Sequence, residues 1–541
     1  MIQEPAGRGI GEGTLEVLLE AARPDLYRLN AFRITELPVD ASTRDVSRRQ
    51  QMVEMARETG LSIPPGPGRA LPMGNASDPE ILAQAMQRLR DPERRLVDEF
   101  FWFWPHRLGQ SQNDQALVAL ARGDAAAASR IWAEQEQAYS EANVSMHNLA
   151  VLAHAMALDL EQADAQDRLS PAVKKRHTLW WQQAFQRWRV LLDHEGFWSR
   201  LTARIRDLDD QRLTTGTARR LRATLPLALL SINAQLAVQA AESGAAAEAK
   251  RHLRIMEESG FERSVIDEAM RRTIEPVRQR IKALGQNSEA EANADPEHAD
   301  AVTYRFLDQA KALLDILDCL LPVEHPTRQA MHDEVALTAL RCQIAYGNKT
   351  EDWAVSLDLL QRMLPLAAGK AARERLEENI RIVEGNQQCW FCGQGRPEEG
   401  AAIEVKMYGN VQRTPVFTGG GFGTRLQWQQ TTIQVPRCAR CKRAHSQVNN
   451  FAAVGGVLGG LLGLCGCAAL MSAERGADDA WCGGVGVLAL LASIGAAFGY
   501  GIGRLTLLKG IKPEEAKLQF PVIADRQKEG WQVGEKPPEA S

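Results

Sequence analysis

From residue 112 to about 385, apolar positions recur at three- and four-residue intervals, the period of helices that bury one face. Three stretches show a helix, a turn of small residues and a second helix: "ALVALARGDAAAASRIWAEQEQA" (116–138), "LAVQAAESGAAAEAKRHLRIMEESG" (236–260) and "ALRCQIAYGNKTEDWAVSLDLLQRML" (339–364). Small residues at the turn let the two helices lie against each other. Within this region "GQNSEAEANADPEHADA" (285–301) is polar, acidic and without period, and reads as an exposed linker.

Upstream, residues 25–58 predict a short helix, a turn at "LPVDAS" and a second helix capped by Ser42 or Thr43. The Pro- and Gly-dense stretch 59–80 is a loop. A third helix, about 78–90, has Ser77 or Asp78 as its cap and Pro79 in its first turn. A fourth begins at Asp91-Pro92 and runs into Phe100, Phe101, Trp102, Phe103 and Trp104 before Pro105. A surface helix needs only one apolar stripe, so this belt predicts contacts on several sides: a seam between head and body, with Pro105 ending the helix.

Near residue 400 the period changes to two. "AAIEVKMYGNVQR" and "TRLQWQQTTIQVP" alternate as strands and are joined by "TGGGFG". Two charge-free apolar runs follow, Phe451–Ala473 and Trp481–Gly503, each longer than the roughly 20 residues that span a bilayer. Arg437, Arg440, Lys442 and Arg443 precede the first, and Arg504, Lys509 and Lys512 follow the second. Positive-inside bias therefore predicts an integral protein of the inner or plasma membrane with both ends cytoplasmic. The competing reading is a pair of buried core helices. Glycines at four-residue spacing, Gly455/Gly459/Gly463 and Gly495/Gly499/Gly503, suit close packing of the two spans. With no ionisable residue inside them, the spans read as an anchor and carry no transport path.

At 541 residues the chain is long enough for several domains, and a composition of 45% hydrophobic and 24% charged residues fits a mostly helical globular protein. The formal net charge of −4 gives no general pull toward nucleic acid. The opening "MIQEPAGRGIGEGTLEVLLE" lacks a signal-peptide pattern, and the tail after 526 reads as mobile.

The densest chemistry lies in "CWFCG" and "VPRCARC". Cys389, Cys392, Cys438 and Cys441 form two Cys-x-x-Cys knuckles flanking the strand pair, and four thiolates make the closed tetrahedral shell of structural zinc. The arrangement resembles a zinc ribbon. Disulfides are the alternative, disfavoured on a cytosolic face. His445 is a possible substitute ligand, Cys319 and Cys342 read as core thiols, and Cys465, Cys467 and Cys482 lie in or beside the spans. The cations Arg437, Arg440, Lys442 and Arg443 suit anionic lipid headgroups, with topology setting and nucleic-acid binding as alternatives. Trp180, Trp181, Trp188 and Trp198 cluster in "HTLWWQQAFQRWRVLLDHEGFW", either as helix core or as anchors of a partner-binding groove. There is no Walker loop, G-x-S-x-G, H-E-x-x-H or dinucleotide fingerprint, so the expectation is a protein that is not an enzyme.

Two resemblances complete the reading. "NAFRITELPVDASTRDVSRR", with "LRDPERRLVD" further on, resembles the opening and close of a J-domain, the co-chaperone module of DnaJ-like proteins, over residues 24–104. That resemblance implies docking of a DnaK-type ATPase through Arg44, Arg48 and Arg49. The family's activating His-Pro-Asp is absent, which removes the implied stimulation. The helix-turn-helix units resemble degenerate tetratricopeptide repeats. The expected architecture is mainly α: a J-like helical domain (24–104), an α-solenoid-like tetratricopeptide-like body (112–385, linker 285–301), a small β zinc ribbon (386–445), two transmembrane helices (451–503) and a cytoplasmic tail (504–541). The expected function is a membrane-anchored protein-interaction scaffold. A membrane-tethered co-chaperone is the alternative, and a nucleic-acid-binding membrane protein the third.

Overall fold

The structure, a computed structural model, describes residues 12–541 apart from 61–65, 67, 69, 72–78, 139–142, 166–170, 215, 399, 419–420, 474–479 and 539–541. The expected caps Ser77 and Asp78, the centre of the "TGGGFG" turn and most of the link between the apolar runs lie outside the described residues. The chain divides into two compact units, residues 1–280 with 312–328, and residues 281–311 with 329–541. The first holds both the head and the first part of the body.

In the first unit a helix not expected from sequence, Glu12–Ala21, precedes the expected head, whose helices are Ala31–Thr35, Thr43–Thr59, Pro79–Arg90 and Pro92–Phe100. Ser42 closes a capping box with Asp45 at the start of Thr43–Thr59, and Asp91 caps Pro92–Phe100 by accepting from the Arg94 N–H. That last helix stops at Phe100, short of the Pro105 end expected from sequence. The chain then continues without helix, which lets successive rings turn to different sides. All five aromatics, Phe100 to Trp104, are buried. Phe100 stacks on Trp188 at 5.7 Å and on Trp198 at 6.0 Å, Phe103 stacks on Trp132 at 5.5 Å, and Trp104 meets His147 at 5.6 Å.

A buried segment outside a helix needs partners for its peptide groups. Asn148 supplies two: its Oδ1 accepts from the Trp104 N–H at 2.8 Å and its amide donates to the Trp104 carbonyl at 2.7 Å. The His147 Nε2 lies 2.7 Å from the Phe100 carbonyl. The seam also holds Glu99, fully buried, against Arg204 at 2.5 Å and Arg95 at 3.8 Å. Burial pushes the Glu99 carboxyl up, and Arg204 pulls it back toward the charged form.

The seam partners sit on helices Ala125–Ala138, Asn143–Ala165, Pro171–Leu192 and Glu195–Asp207, with Thr217–Glu242 and Ala246–Glu257 beyond. The first two expected turns occur, at Gly123 and Gly244, both at positive φ where a side chain would be strained.

In the second unit the third expected turn moves. The helix Pro326–Thr350 runs through Gly347 and ends before Glu351, and Asp352 caps Trp353–Met363. The linker expected at 285–301 is also revised. Residues up to 294 complete the helix Arg263–Ala294, and Pro296–His298 forms a 3-10 turn. Polar side chains there pair across helices, Glu289 with Arg341 at 2.9 Å and Glu291 with Arg305 at 2.6 Å.

After helix Lys370–Asn386 comes a three-stranded antiparallel sheet of order β2-β1-β3, with β1 Ile403–Thr418, β2 Gly421–Val435 and β3 Gln532–Val533. Ile403 pairs with Val435 and Met407 with both Thr431 and Val533. The third strand belongs to the segment expected to be a mobile tail, which here is ordered structure: helix Pro521–Lys528 precedes it. Two long helices, Ala439–Ala473 and Ala480–Leu507, leave and re-enter this domain.

Two described helices are long and apolar enough to cross a membrane. Thr217–Glu242 is 61% buried within the first unit, as a core helix is, whereas Ala489–Leu507 is only 6% buried. The latter coincides with the second expected span.

Candidate metal centre

The sulfurs of Cys389, Cys392, Cys438 and Cys441 all lie within 4.8 Å of one another, and Cys392 Sγ is 3.9 Å from Cys438 Sγ. Sulfurs about 2.3 Å from a tetrahedral metal are separated by about 3.8 Å, whereas a disulfide needs about 2.05 Å. All four cysteines are free thiols.

The backbone explains the convergence. In the first knuckle the Cys389 N–H donates to Gly395 O at 2.8 Å and the Gly393 N–H donates back to Cys389 O at 2.8 Å. The Trp390 N–H reaches Pro436 O at 2.9 Å, stitching the first knuckle to the second. Gly395 passes so close to the sulfurs that a Cβ there would sit 3.0 Å from Cys438 Sγ. Cys441 stands in the first turn of the Ala439–Ala473 helix, which fixes the direction of the second knuckle.

Without a cation the thiols pull apart electrostatically. Burial and neighbouring sulfur push Cys441 strongly up, and burial raises Cys389. Burial also works against Cys392, but the backbone N–H groups of Gln394 and Gly395 bring it down to about 7. A soft divalent cation resolves this conflict by replacing repulsion among thiolates with four metal–sulfur bonds, so the donor set fits a closed tetrahedral site.

The shell around the sulfurs comes from both sides of the helical pair. Cys389, Phe391, Val405, Met407, Cys438 and Cys441 share one core with Leu508, Ile511, Phe520 and Ile523. Trp390, inside the first knuckle, donates to Ala516 O at 2.9 Å, carries the Lys512 ammonium 3.3 Å from its ring centroid and meets Phe520 edge-on at 5.5 Å. The Lys512 N–H donates to Phe391 O at 2.8 Å. His445 is no ligand: its Nε2 lies 3.0 Å from Lys512 O, and its ring packs on Phe391 at 4.8 Å. The sequence marked Trp390 and Phe391 only as two aromatics between paired cysteines, and Lys512 only as a cation after the second apolar run.

Several expected surface residues are structural. Arg437 turns inward, donating to Ala401 O at 2.6 Å, and Lys442 reaches Gly400 O at 2.8 Å, so the expected cationic patch reduces to exposed Arg440 and Arg443 with a partly engaged Lys442. In the first unit Arg49 is buried, donating to Thr35 O at 2.9 Å with Glu36 beside it at 3.3 Å; Arg44 and Arg48 remain exposed. Trp181 and Trp188 are fully buried and cannot line an open groove, and Trp180 is half-buried. The Trp181 indole donates to Glu161 at 2.7 Å, a carboxylate also held by Arg251 at 2.7 Å and His177 at 2.9 Å. Cys342 is buried and its thiol is pushed up to about 11, while Cys319 is half-buried and Cys465 exposed. The side chains of Cys467 and Cys482 lie outside the described residues.

The described parts of the paired helices have an inverted surface. Val454, Leu458, Leu461, Leu462, Ile494 and Phe498 all point outward, between 53% and 71% exposed. Glycines fill the inside: a Cβ on Gly455 would strike the Gly495 carbonyl, and one on Gly495 the Gly455 carbonyl. Comparison with protein families, with curated proteins and with solved structures finds no match to this chain.

Proposed function

We propose that this protein is a membrane-anchored scaffold, held by the hairpin 451–503 and stiffened beside the bilayer by a zinc-bound four-cysteine domain. The observation that carries the reading is the inverted hairpin, apolar outside and glycine-lined inside. In water such a surface costs about 25 cal/mol per Å² of exposed apolar area, a cost that hydrocarbon removes. Zinc is favoured because four sulfurs close the shell and leave no position for a reactive water. The shared core that residues 389–448 form with residues 508–523 supports placing both flanks on one face, and the cations flanking the hairpin favour the cytoplasmic one.

The head is a J-like docking module on this reading, and the body an α-solenoid-like support of the tetratricopeptide type. A second reading, recruitment of a DnaK-type ATPase, is favoured by the exposed Arg44 and Arg48 on helix Thr43–Thr59. One preparation tests both. The full chain should resist alkaline carbonate extraction and carry one zinc; release into the aqueous fraction refutes the anchor. Added to a DnaK-type chaperone, it should leave ATP hydrolysis unchanged, and stimulation would replace the scaffold with the co-chaperone.

A further inference from the structure

Where the hairpin meets the metal domain, a recess of 290 Å³ opens between the two helices and the segment that follows them. Val448 and Leu508 form its apolar floor. Its polar wall is made by His445, Asn449, Tyr500, Glu514, Glu515 and Lys517. The outward apolar surface of the hairpin runs up to this level, at Phe451 on one helix and Ile502 and Leu505 on the other, so the recess opens where hydrocarbon gives way to headgroups.

We propose that this recess holds the headgroup of an aminophospholipid, a zwitterion with an ammonium beyond its phosphate. The proposal rests on the membrane reading above. Charge complementarity selects the headgroup. Glu515 is exposed, takes a hydrogen bond from the Tyr500 hydroxyl at 2.6 Å and has no ion-pair partner among the described contacts. Glu514 stands beside it, 3.5 Å from Lys517. Arg504, one turn beyond Tyr500 on the same helix face, is exposed and pulls Glu515 further toward its charged form. Carboxylates to receive an ammonium thus line the recess over apolar Val448 and Leu508, which suit the first carbons of the acyl chains, and the Arg504 guanidinium, outside the lining but one helical turn from Tyr500, is the cation for the phosphate. An anionic headgroup without an amine would leave Glu514 and Glu515 facing negative charge.

The test uses the full chain, purified in detergent and exposed to equal amounts of phosphatidylethanolamine and phosphatidylglycerol, with retained lipid counted by mass spectrometry. Wild type should retain phosphatidylethanolamine preferentially. The pair Glu514→Gln with Glu515→Gln should lose that preference by about fivefold or more, the effect of about one surface charge contact or more. Glu377→Gln, on an exposed helix of the body, should keep it. Equal retention of both lipids by wild type, preference for phosphatidylglycerol, or undiminished preference in the double variant with its zinc intact would each overturn the proposal. Carbonate extraction separates the failures, since a chain that stays in the membrane yet shows no preference refutes only the headgroup site.

Discussion

Replacing Trp390 with alanine should free the segment after the hairpin without emptying the metal site. The side chain makes three contacts with that segment: a hydrogen bond to Ala516 O at 2.9 Å, the Lys512 ammonium over its ring at 3.3 Å, and Phe520 edge-on at 5.5 Å. A hydrogen bond contributes about 1 kcal/mol, an exposed cation–π contact about 0.5–1 and an aromatic edge contact about 0.5–1.5. Together they amount to about 3 kcal/mol, which corresponds to roughly a hundredfold change in a local opening equilibrium. Hydrogen exchange followed by mass spectrometry reads that change at two amides, Lys512 on Phe391 O and Gly534 on Lys406 O, both at 2.8 Å. Exchange there should accelerate by about two orders of magnitude, while the metal content of the purified chain stays that of wild type because all four sulfurs remain. Unaltered exchange across 508–534 would show that the segment is held by something other than the first knuckle.

Asn148→Leu leaves the buried N–H and carbonyl of Trp104 without partners, and should lower stability by about 2–4 kcal/mol in urea unfolding followed by tryptophan fluorescence. Asp98, almost fully buried, is raised to about 6 by burial against the opposing pull of Arg88, so the folded chain holds its proton more tightly than the unfolded one. Its contribution is therefore complete below about pH 4 and is lost as pH rises to about 6, and the stability difference between wild type and Asp98→Asn should move against wild type over that window. Gly455→Val drives a side chain into the Gly495 carbonyl and should cost about 1–3 kcal/mol, read as a lower aggregation temperature in detergent; Gly501→Ala, where a Cβ meets nothing within 4 Å, should leave it unchanged.

The sequence made the local features legible. Periodicity carried most helices, and the two Cys-x-x-Cys pairs located a cluster that 45 intervening residues separate in the chain. Whatever depends on distant partners was hidden. The polar stretch before residue 294 is helical because Glu and Ala favour helix and because Arg341 and Arg305 hold its carboxylates. Helix Pro92–Phe100 ends early because Asn148 and His147, some 45 residues on, satisfy the backbone it abandons. Tryptophan density alone could not separate core from groove, and burial assigns Trp181 and Trp188 to the core. The segment after the hairpin carries too few apolar residues for a pattern; Ile511, Phe520 and Ile523 have meaning only against Phe391 and Met407.

Because Leu508, Ile511, Phe520 and Ile523 are part of the cysteine domain, that domain is interrupted by both apolar helices and must wait for them during synthesis. A ribosome delivers the four cysteines first and the closing segment only after the second helix. On the membrane reading proposed above, a molecule whose second helix failed to cross would strand the closing segment on the opposite side of the bilayer. Trp390 and Phe391 would then stay bare, open to chaperones and proteases. On that reading the four-cysteine domain inspects the threading of the two apolar helices, and becomes whole only in molecules that were threaded correctly.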